Sequence, residues 1–357
     1  MGGLHIARRE RLARRVAGRD ADAALVTRLV NVRYLTGLDS SNAALLIHAD
    51  GGAVLCTDGR YAGMVETACP ELPYLVAKAT AKTLAARAVK DGARRLAFEA
   101  HAVTVEARDE LAKDAPDLVP LGRAVEELRK VKDEAEIALL REACAITDRA
   151  FDAVLPRLRP GLTERDVAVA LDRSMVDLGA DKPAFDTIVA AGPNGAVPHH
   201  HPGDREIAPG DLVTMDFGAL YRGYHADMTR TVAVGGLAQW QRELYELVRR
   251  AQRTGLDAAR PDVETMAVDA AARDVIAAAG HGDHFTHGLG HGVGLEIHEA
   301  PFMGYDKAGK LEGRVPVTVE PGVYLDGRGG VRIEDTLVVR SGGPELLTQT
   351  SKELLVI

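Results

Sequence analysis

The sequence predicts an α+β protein of two domains, a smaller α/β domain followed by a larger one in which helices flank strand-rich segments. Its 357 residues exceed the roughly 100–200 typical of one domain. Helix and strand signals alternate through residues 43–118, and two strand-rich segments, 212–234 and 315–339, lie between and after strongly periodic helices. A charged stretch at 126–136 puts the boundary near residues 123–130, giving domains 1–126 and 127–357.

Residues 43–47 and 54–57 are apolar runs around Asp50-Gly51-Gly52, which predicts a hairpin. Residues 80–90 read as a helix, 95–99 as a strand, 103–111 as a helix and the surroundings of Leu118 as a short strand. The clearest helix follows. Ile137, Leu140, Cys144, Thr147, Phe151, Val154 and Leu158 recur at three- and four-residue spacing and form one stripe. Pro156 and Pro160-Gly161 close it. Thr163, followed by Glu164 and Asp166, predicts a capped helix start with acids near the positive end of the helix dipole. Val167, Leu171, Met175 and Leu178 form its apolar face, and Gly179 stops it. Residues 264–279 make another helix before Gly280.

Composition narrows the function. The 44 basic and 52 acidic side chains leave a net charge of −8, without the clustered basic excess that a nucleic-acid binder needs. Cys56, Cys69 and Cys144 have no Cys-x-x-Cys spacing, which argues against a disulfide framework or a cysteine metal site. Reduced thiols fit a cytoplasmic location. The N-terminus, MGGLHIARRERLARR, lacks a signal-peptide apolar core, and no apolar run approaches the ~20 residues of a membrane span.

Three segments carry chemistry. In DLVTMDFGALYRGYHADMTRTVAV, residues 211–234, β-branched and apolar residues flank Arg222-Gly223, as in an antiparallel hairpin. With a two-residue turn, Asp216 and Asp227 share one face, opposite or diagonal. Such close carboxylates repel, and a divalent cation would compensate; alone, they read equally well as solvated acids near a turn. THGLGHGVGLEIHEAP, residues 286–301, places His287, His291 and His298 in a glycine-rich frame that disfavours a helix and lets backbone approach a ligand. In VTVEPGVYLDGRGGVRIEDTLVV, residues 317–339, Glu320 precedes Pro321-Gly322 and Glu334 interrupts an apolar strand pattern. Taken alone, Arg332, Glu334 and Thr336 read as the solvated face of that strand.

Together these segments supply four carboxylates and at least one imidazole, nearly neutralising two divalent ions. Oxygen-rich ligation with one histidine suits a catalytic pair of Mn²⁺, Co²⁺, Fe²⁺ or Zn²⁺, not a structural zinc.

The motifs DFG, HADMTRT, GHGVGLEIHE, EPG and VRIED, in that order, resemble the ligand motifs of the pita-bread metallopeptidases, the family of methionyl aminopeptidases, prolidases and Xaa-Pro aminopeptidases. NVRYLTGLDSSNAALLI and TDGRY resemble the creatinase-like N-terminal domain of the proline-directed branches. The resemblance implies a pita-bread catalytic domain behind an α/β creatinase-like domain. It implies metal ligands Asp216, Asp227, His291, Glu320 and Glu334, with Glu320 also moving a proton. It assigns His199, His287 and His298 to catalysis and substrate contact, and Arg332 to the substrate site beside Glu334. His200 and His201 extend the single histidine expected there and receive no role.

The implied activity is hydrolysis of Xaa-Pro bonds at peptide N-termini, as an Xaa-Pro aminopeptidase or dipeptidase, with two divalent ions, Mn²⁺ foremost. A cytoplasmic homodimer acting on proline-containing peptides, without nucleic-acid or membrane partners, is the accompanying expectation. The alternatives are a methionyl-aminopeptidase-like peptidase and a non-catalytic binding module. The creatinase-like N-terminal segment and His287 speak against the first, and the intact ligand set against the second.

Overall fold

A computed structural model of the chain describes residues 2–113 and 117–357. Two compact units emerge, Met1–Arg129 and Lys130–Ile357.

The first unit has helices α1 (Gly2–Ala17), α2 (Leu29–Thr36), α3 (Ala62–Ala68), α4 (Thr80–Lys90), α5 (Val105–Ala112) and α6 (Ala124–Arg129). Its strands are β1 (Ala23–Val26), β2 (Ala43–His48), β3 (Ala53–Thr57), β4 (Tyr74–Val76), β5 (Arg95–Phe98) and β6 (Asp117–Pro120), in one sheet of order β4-β3-β2-β1-β5-β6. The expected hairpin is β2–β3, paired antiparallel from Ala43↔Thr57 to Ile47↔Ala53. An antiparallel β1–β2 pair and the parallel pairs β1–β5, β5–β6 and β3–β4 complete the sheet, the parallel ones joined by crossovers. Sequence periodicity does not pick out α1 and α2; α1 is rich in arginine, yet Leu12, Ala13 and Val16 are buried.

The second unit opens with α7 (Glu134–Val154) and α8 (Glu164–Asp177). Asp133 and Thr163 cap them through reciprocal capping boxes with Glu136 and Asp166. Next come β7 (Lys182–Pro183), β8 (Ile188–Ala191), β9 (Leu212–Phe217), β10 (Ala219–Tyr221), β11 (Tyr224–His225) and β12 (Met228–Ala233). Helices α9 (Gln239–Ala258) and α10 (Thr265–Ala278) follow. The remaining strands are β13 (Gly290–Gly292), β14 (Glu299–Met303), β15 (Pro316–Val319), β16 (Gly322–Leu325), β17 (Gly329–Arg332), β18 (Asp335–Val338) and β19 (Glu345–Leu346). Sequence reading also passes over α9, whose buried Leu244, Leu247, Val248 and Ala251 do carry helical spacing.

Two apolar cores organise this unit. In one, α7 and α8 pack on β8, β9 and β12 through residues such as Phe151, Leu171, Met215 and Val232. In the other, α9 and α10 pack on β15 to β18 through Val248, Ile276, Val317 and Leu337. Cys56, Cys69 and Cys144 are buried free thiols. No helix among the described residues is long and apolar enough to cross a membrane.

Candidate metal centre and substrate pocket

Strand alternation sends one face of each strand to a core and turns the other to a shared polar interior. Val213, Met215 and Phe217 of β9 enter the first core, so Asp216 points the other way. Val317 and Val319 enter the second core, leaving Thr318 and Glu320 on the opposite side. Val331 and Ile333 likewise enter it, leaving Arg332 and Glu334 with the site. The face that carries Arg332, Glu334 and Thr336 is therefore buried, not solvated as its alternation alone suggests. The residues alternate as expected, but they are 3%, 1% and 0% exposed. The physical reason is that β12 covers that face. Glu334 N donates to Thr229 O at 3.1 Å, and Thr336 Oγ1 donates to Asp227 O at 2.8 Å.

The hairpin carrying the two aspartates keeps one register from Leu212↔Ala233 to Tyr221↔Tyr224, around Arg222-Gly223. Asp216 lies opposite Thr229, so Asp227, two residues earlier, is its diagonal neighbour on the same face. Gly218 separates β9 from β10 because the chain is crowded there: a Cβ would sit 1.8 Å from Ala226 O.

The acids and His291 converge. His291 Nε2 lies 3.4 Å from Glu320 Oε1 and 3.6 Å from Asp227 Oδ2. Asp227, His291 and Glu334 each offer a ligand atom, all within 4.8 Å of one another. Arg332 Nη2 donates to Asp216 Oδ2 at 2.7 Å, Thr229 Oγ1 to Glu334 Oε2 at 2.7 Å, and Thr318 Oγ1 to Glu320 Oε1 at 3.1 Å. The remaining oxygens, Asp216 Oδ1 and Glu334 Oε1, are buried with no hydrogen-bond partner.

Protonation follows from this crowding. Burial, then the charges of Asp216 and Glu320, push Asp227 well above the usual carboxyl range. Burial, then the three neighbouring acids, does the same to Glu334. Glu320 rises to about 8, chiefly through burial, against the pull of Arg332. Burial, helped by His298, lowers His291 to about 4, so its imidazole is neutral at neutral pH. Its Nδ1–H donates to Gly292 O at 3.0 Å, which leaves the Nε2 lone pair facing the carboxylates. Orphaned buried acceptors, repelling carboxylates and an oriented lone pair fit a divalent cation, whose charge would relieve all three.

Asp216, Asp227, His291, Glu320 and Glu334 line one cavity of about 600 Å³. His199, His287, His298 and Arg332 line the same cavity, so it gathers all nine residues singled out in the sequence. The His298 ring meets the His291 ring edge-on, with centroids 4.4 Å apart. Burial and the neighbouring His199 lower its pKa. His287 is more committed. Its Nδ1–H donates to Gly288 O at 2.8 Å, and its Nε2 accepts from Tyr324 Oη at 2.8 Å. Burial lowers it to about 4. Tyr324 Oη in turn accepts from Arg332 Nη1 at 3.0 Å.

Sequence reasoning missed Tyr324, Thr229 and Thr318. The threonines share the strand face of the acids, which is a usable signal; Tyr324 carries no chemical signature beyond an aromatic in a strand. It also missed the buried Lys132–Glu299 pair, 2.9 Å apart, beside His298. Glu299 Oε1 also accepts from Glu296 N at 2.9 Å, bracing the segment that carries His298.

A chain with this site and two-unit fold belongs to the metallopeptidase family M24, which residues 138–341 match; residues 8–131 match the creatinase/prolidase N-terminal domain. The fold is the pita-bread metallopeptidase domain preceded by a creatinase-like domain. The chain is similar to the Xaa-Pro dipeptidase of Pyrococcus furiosus, 36% identical over 358 residues, 98% of this chain and 99% of that protein. Its structure resembles the Xaa-Pro dipeptidase from Bacillus anthracis with a TM-score of 0.96 and 35% identity, over 99% of this chain and 100% of that one. It also resembles the X-Pro aminopeptidase of Thermotoga maritima with a TM-score of 0.89 and 32% identity, over 98% and 99% of the two chains.

Proposed function

We propose that this protein hydrolyses Xaa-Pro peptide bonds at peptide N-termini, using two divalent metal ions held by Asp216, Asp227, His291, Glu320 and Glu334. One observation carries the reading: repelling buried acids with unpartnered oxygens form the floor of a peptide-sized cavity whose walls carry His199, His287 and His298. The relatives' proline-directed activities supply the substrate class. When bound, the ions supply Lewis-acid polarisation of the scissile carbonyl and lower the pKa of a water.

The side chains do the rest. Ionised where bound cations would offset its neighbours' charge, Glu320 takes a proton from the attacking water as the C–O bond forms, then delivers it to the proline nitrogen as the C–N bond breaks. That nitrogen leaves as a secondary amine and must be protonated, so a carboxyl poised for transfer is needed. His298, held neutral at neutral pH, donates an N–H to the carbonyl oxygen as charge develops. His199 seats the substrate. His287 acts through Tyr324, whose hydroxyl it orients toward Arg332. Arg332 keeps Asp216 in place while contributing positive charge to the pocket.

The oxygen-rich donor set with a single imidazole accords with Mn²⁺ as the working ion, and Co²⁺, Fe²⁺ and Zn²⁺ suit the same donors. A cytoplasmic location accords with three reduced buried thiols. A homodimer completes the assignment and rests on family resemblance.

Hydrolysis of an Xaa-Pro dipeptide and an Xaa-Pro-Yaa tripeptide by Mn²⁺-loaded protein tests the reading, with metal content measured in parallel. Cleavage of the dipeptide alone identifies a dipeptidase, and cleavage of both an aminopeptidase. Failure to cleave either, with two ions bound per chain, would overturn the proline-directed assignment.

A further inference from the structure

His199 is bracketed by two anchors, one on each neighbour. Pro198 O accepts from Arg332 Nη1 at 3.2 Å, and His200 Nε2 donates to Glu164 Oε2 at 2.8 Å. Glu164 is the first residue of α8, and its side chain is 0% exposed. Its carboxylate gathers four donors. Oε1 accepts from Ala191 N at 2.8 Å and Asn194 Nδ2 at 2.9 Å; Oε2 accepts from His200 and from Gly203 N at 3.2 Å. The backbone adds Arg165 N donating to Gly203 O at 3.1 Å.

This network is more than a helix start requires. Thr163 and Asp166 already cap α8. Glu164 instead turns inward and joins the end of β8, the turn after it and the histidine loop. Four donors nearly saturate a carboxylate, which has about four lone-pair sites. A neutral amide cannot replace it, because one end of a glutamine would present N–H groups to two donors. Against the cost of burial, the donors hold the Glu164 carboxyl below its usual range, so it is ionised at neutral pH.

We infer that Glu164 is a positioning residue that fixes His199 against the substrate pocket, with His200 as the link. The substrate role of His199 rests on the function proposed above; the anchoring does not. Held on both sides, His199 has little freedom to shift, and a displacement of about 1 Å near reacting groups costs on the order of 10²-fold in rate.

The test combines amide exchange with kinetics on the metal-loaded enzyme. In Glu164→Gln, the Gly203 amide, which donates to Glu164 Oε2, is expected to exchange at least ~10-fold faster than in the wild type, while β9 and β12 keep their protection. kcat/KM for an Xaa-Pro peptide is expected to fall by about 10- to 100-fold with metal content unchanged. On a His199→Ala background the same change is expected to cost less than about twofold, because the residue it positions is gone. A general structural role would impose the same factor on both backgrounds. Should Glu164→Gln not fold, His200→Ala removes the link alone and is expected to give the same pattern. Unchanged exchange at Gly203, or equal losses on the two backgrounds, overturns the inference. A wild-type enzyme inactive on Xaa-Pro peptides would defeat the proposed function, while the exchange measurement still decides the anchoring.

Discussion

Arg332 Nη2 and Asp216 Oδ2 form a buried ion pair at 2.7 Å, and the same guanidinium also donates to Thr229 Oγ1, Tyr324 Oη and Pro198 O. One side chain thus orients a proposed metal ligand, a wall residue and the loop of His199. Lysine keeps the charge but lacks the planar fork. Arg332→Lys is predicted to lower kcat/KM at least tenfold and to destabilise the fold by about 2–4 kcal/mol, as when a buried pair loses its geometry. Denaturant melts and steady-state kinetics check this. A variant matching the wild type in both would show that the four contacts are idle.

Glu320 is proposed as both ligand and proton carrier. Glu320→Gln is predicted to lower kcat by about 10²- to 10⁴-fold, the usual worth of general acid–base catalysis. Elemental analysis separates the two roles. Lost turnover with metal retained supports proton transfer, whereas turnover within a fewfold of wild type, metal still bound, removes that assignment.

Metal removal should expose the repulsion among the acids. Asp227, Glu320 and Glu334 have raised folded-state values, with Glu320 at about 8. Unfolded carboxyls titrate at roughly 4, so the folded state binds extra protons between these limits. The stability these groups contribute is complete below the unfolded value and is lost as pH rises through the folded one. His287 and His291, both lowered to about 4, have the opposite sign: their contribution is complete above roughly pH 6.5 and is lost on acidification. Between about pH 6.5 and 8.5 the carboxyls act without these histidines, and the buried thiols, also raised, add a loss of the same sign only toward the upper end. The melting temperature of chelated protein is predicted to fall across that window by more than about 5 °C, and saturating Mn²⁺ to flatten the slope. A flat profile without metal would show that the acids do not repel.

Gly218 lets the hairpin cross between Asp216 and Asp227 without a side chain. With a Cβ only 1.8 Å from Ala226 O, Gly218→Ala forces the backbone apart. The predicted result is a loss of about 1–3 kcal/mol and weaker binding of at least one ion. Thermal melts and Mn²⁺ titration measure both. Unchanged affinity would show that the two aspartates are positioned independently of the crossing.

The local features were legible because they follow from short-range rules. The caps at Thr163 and the stripe from Ile137 to Val154 are set by helical geometry, and the shared face of Asp216 and Asp227 by strand alternation around Arg222-Gly223. Glu164 was legible as an acid in a first helical turn, but its partners Ala191 and Gly203 lie 27 and 39 residues away. Nothing local distinguishes an acid that favours its own helix dipole from one that ties down a distant loop.

By itself the sequence determined which residues share a face, which segments could offer oxygen and imidazole donors, and which family the ordered motifs resemble. Tertiary structure alone decided what covers each face. Thr229 meets Glu334 across 105 residues, turning an apparent solvated strand edge into a buried interior. There, loss of water raises the acids, neutralises His291 and brings Tyr324 into line with His287 and Arg332. Periodicity reports only the direction of a side chain relative to its own strand; dielectric and charge at that point depend on chain that arrives from elsewhere.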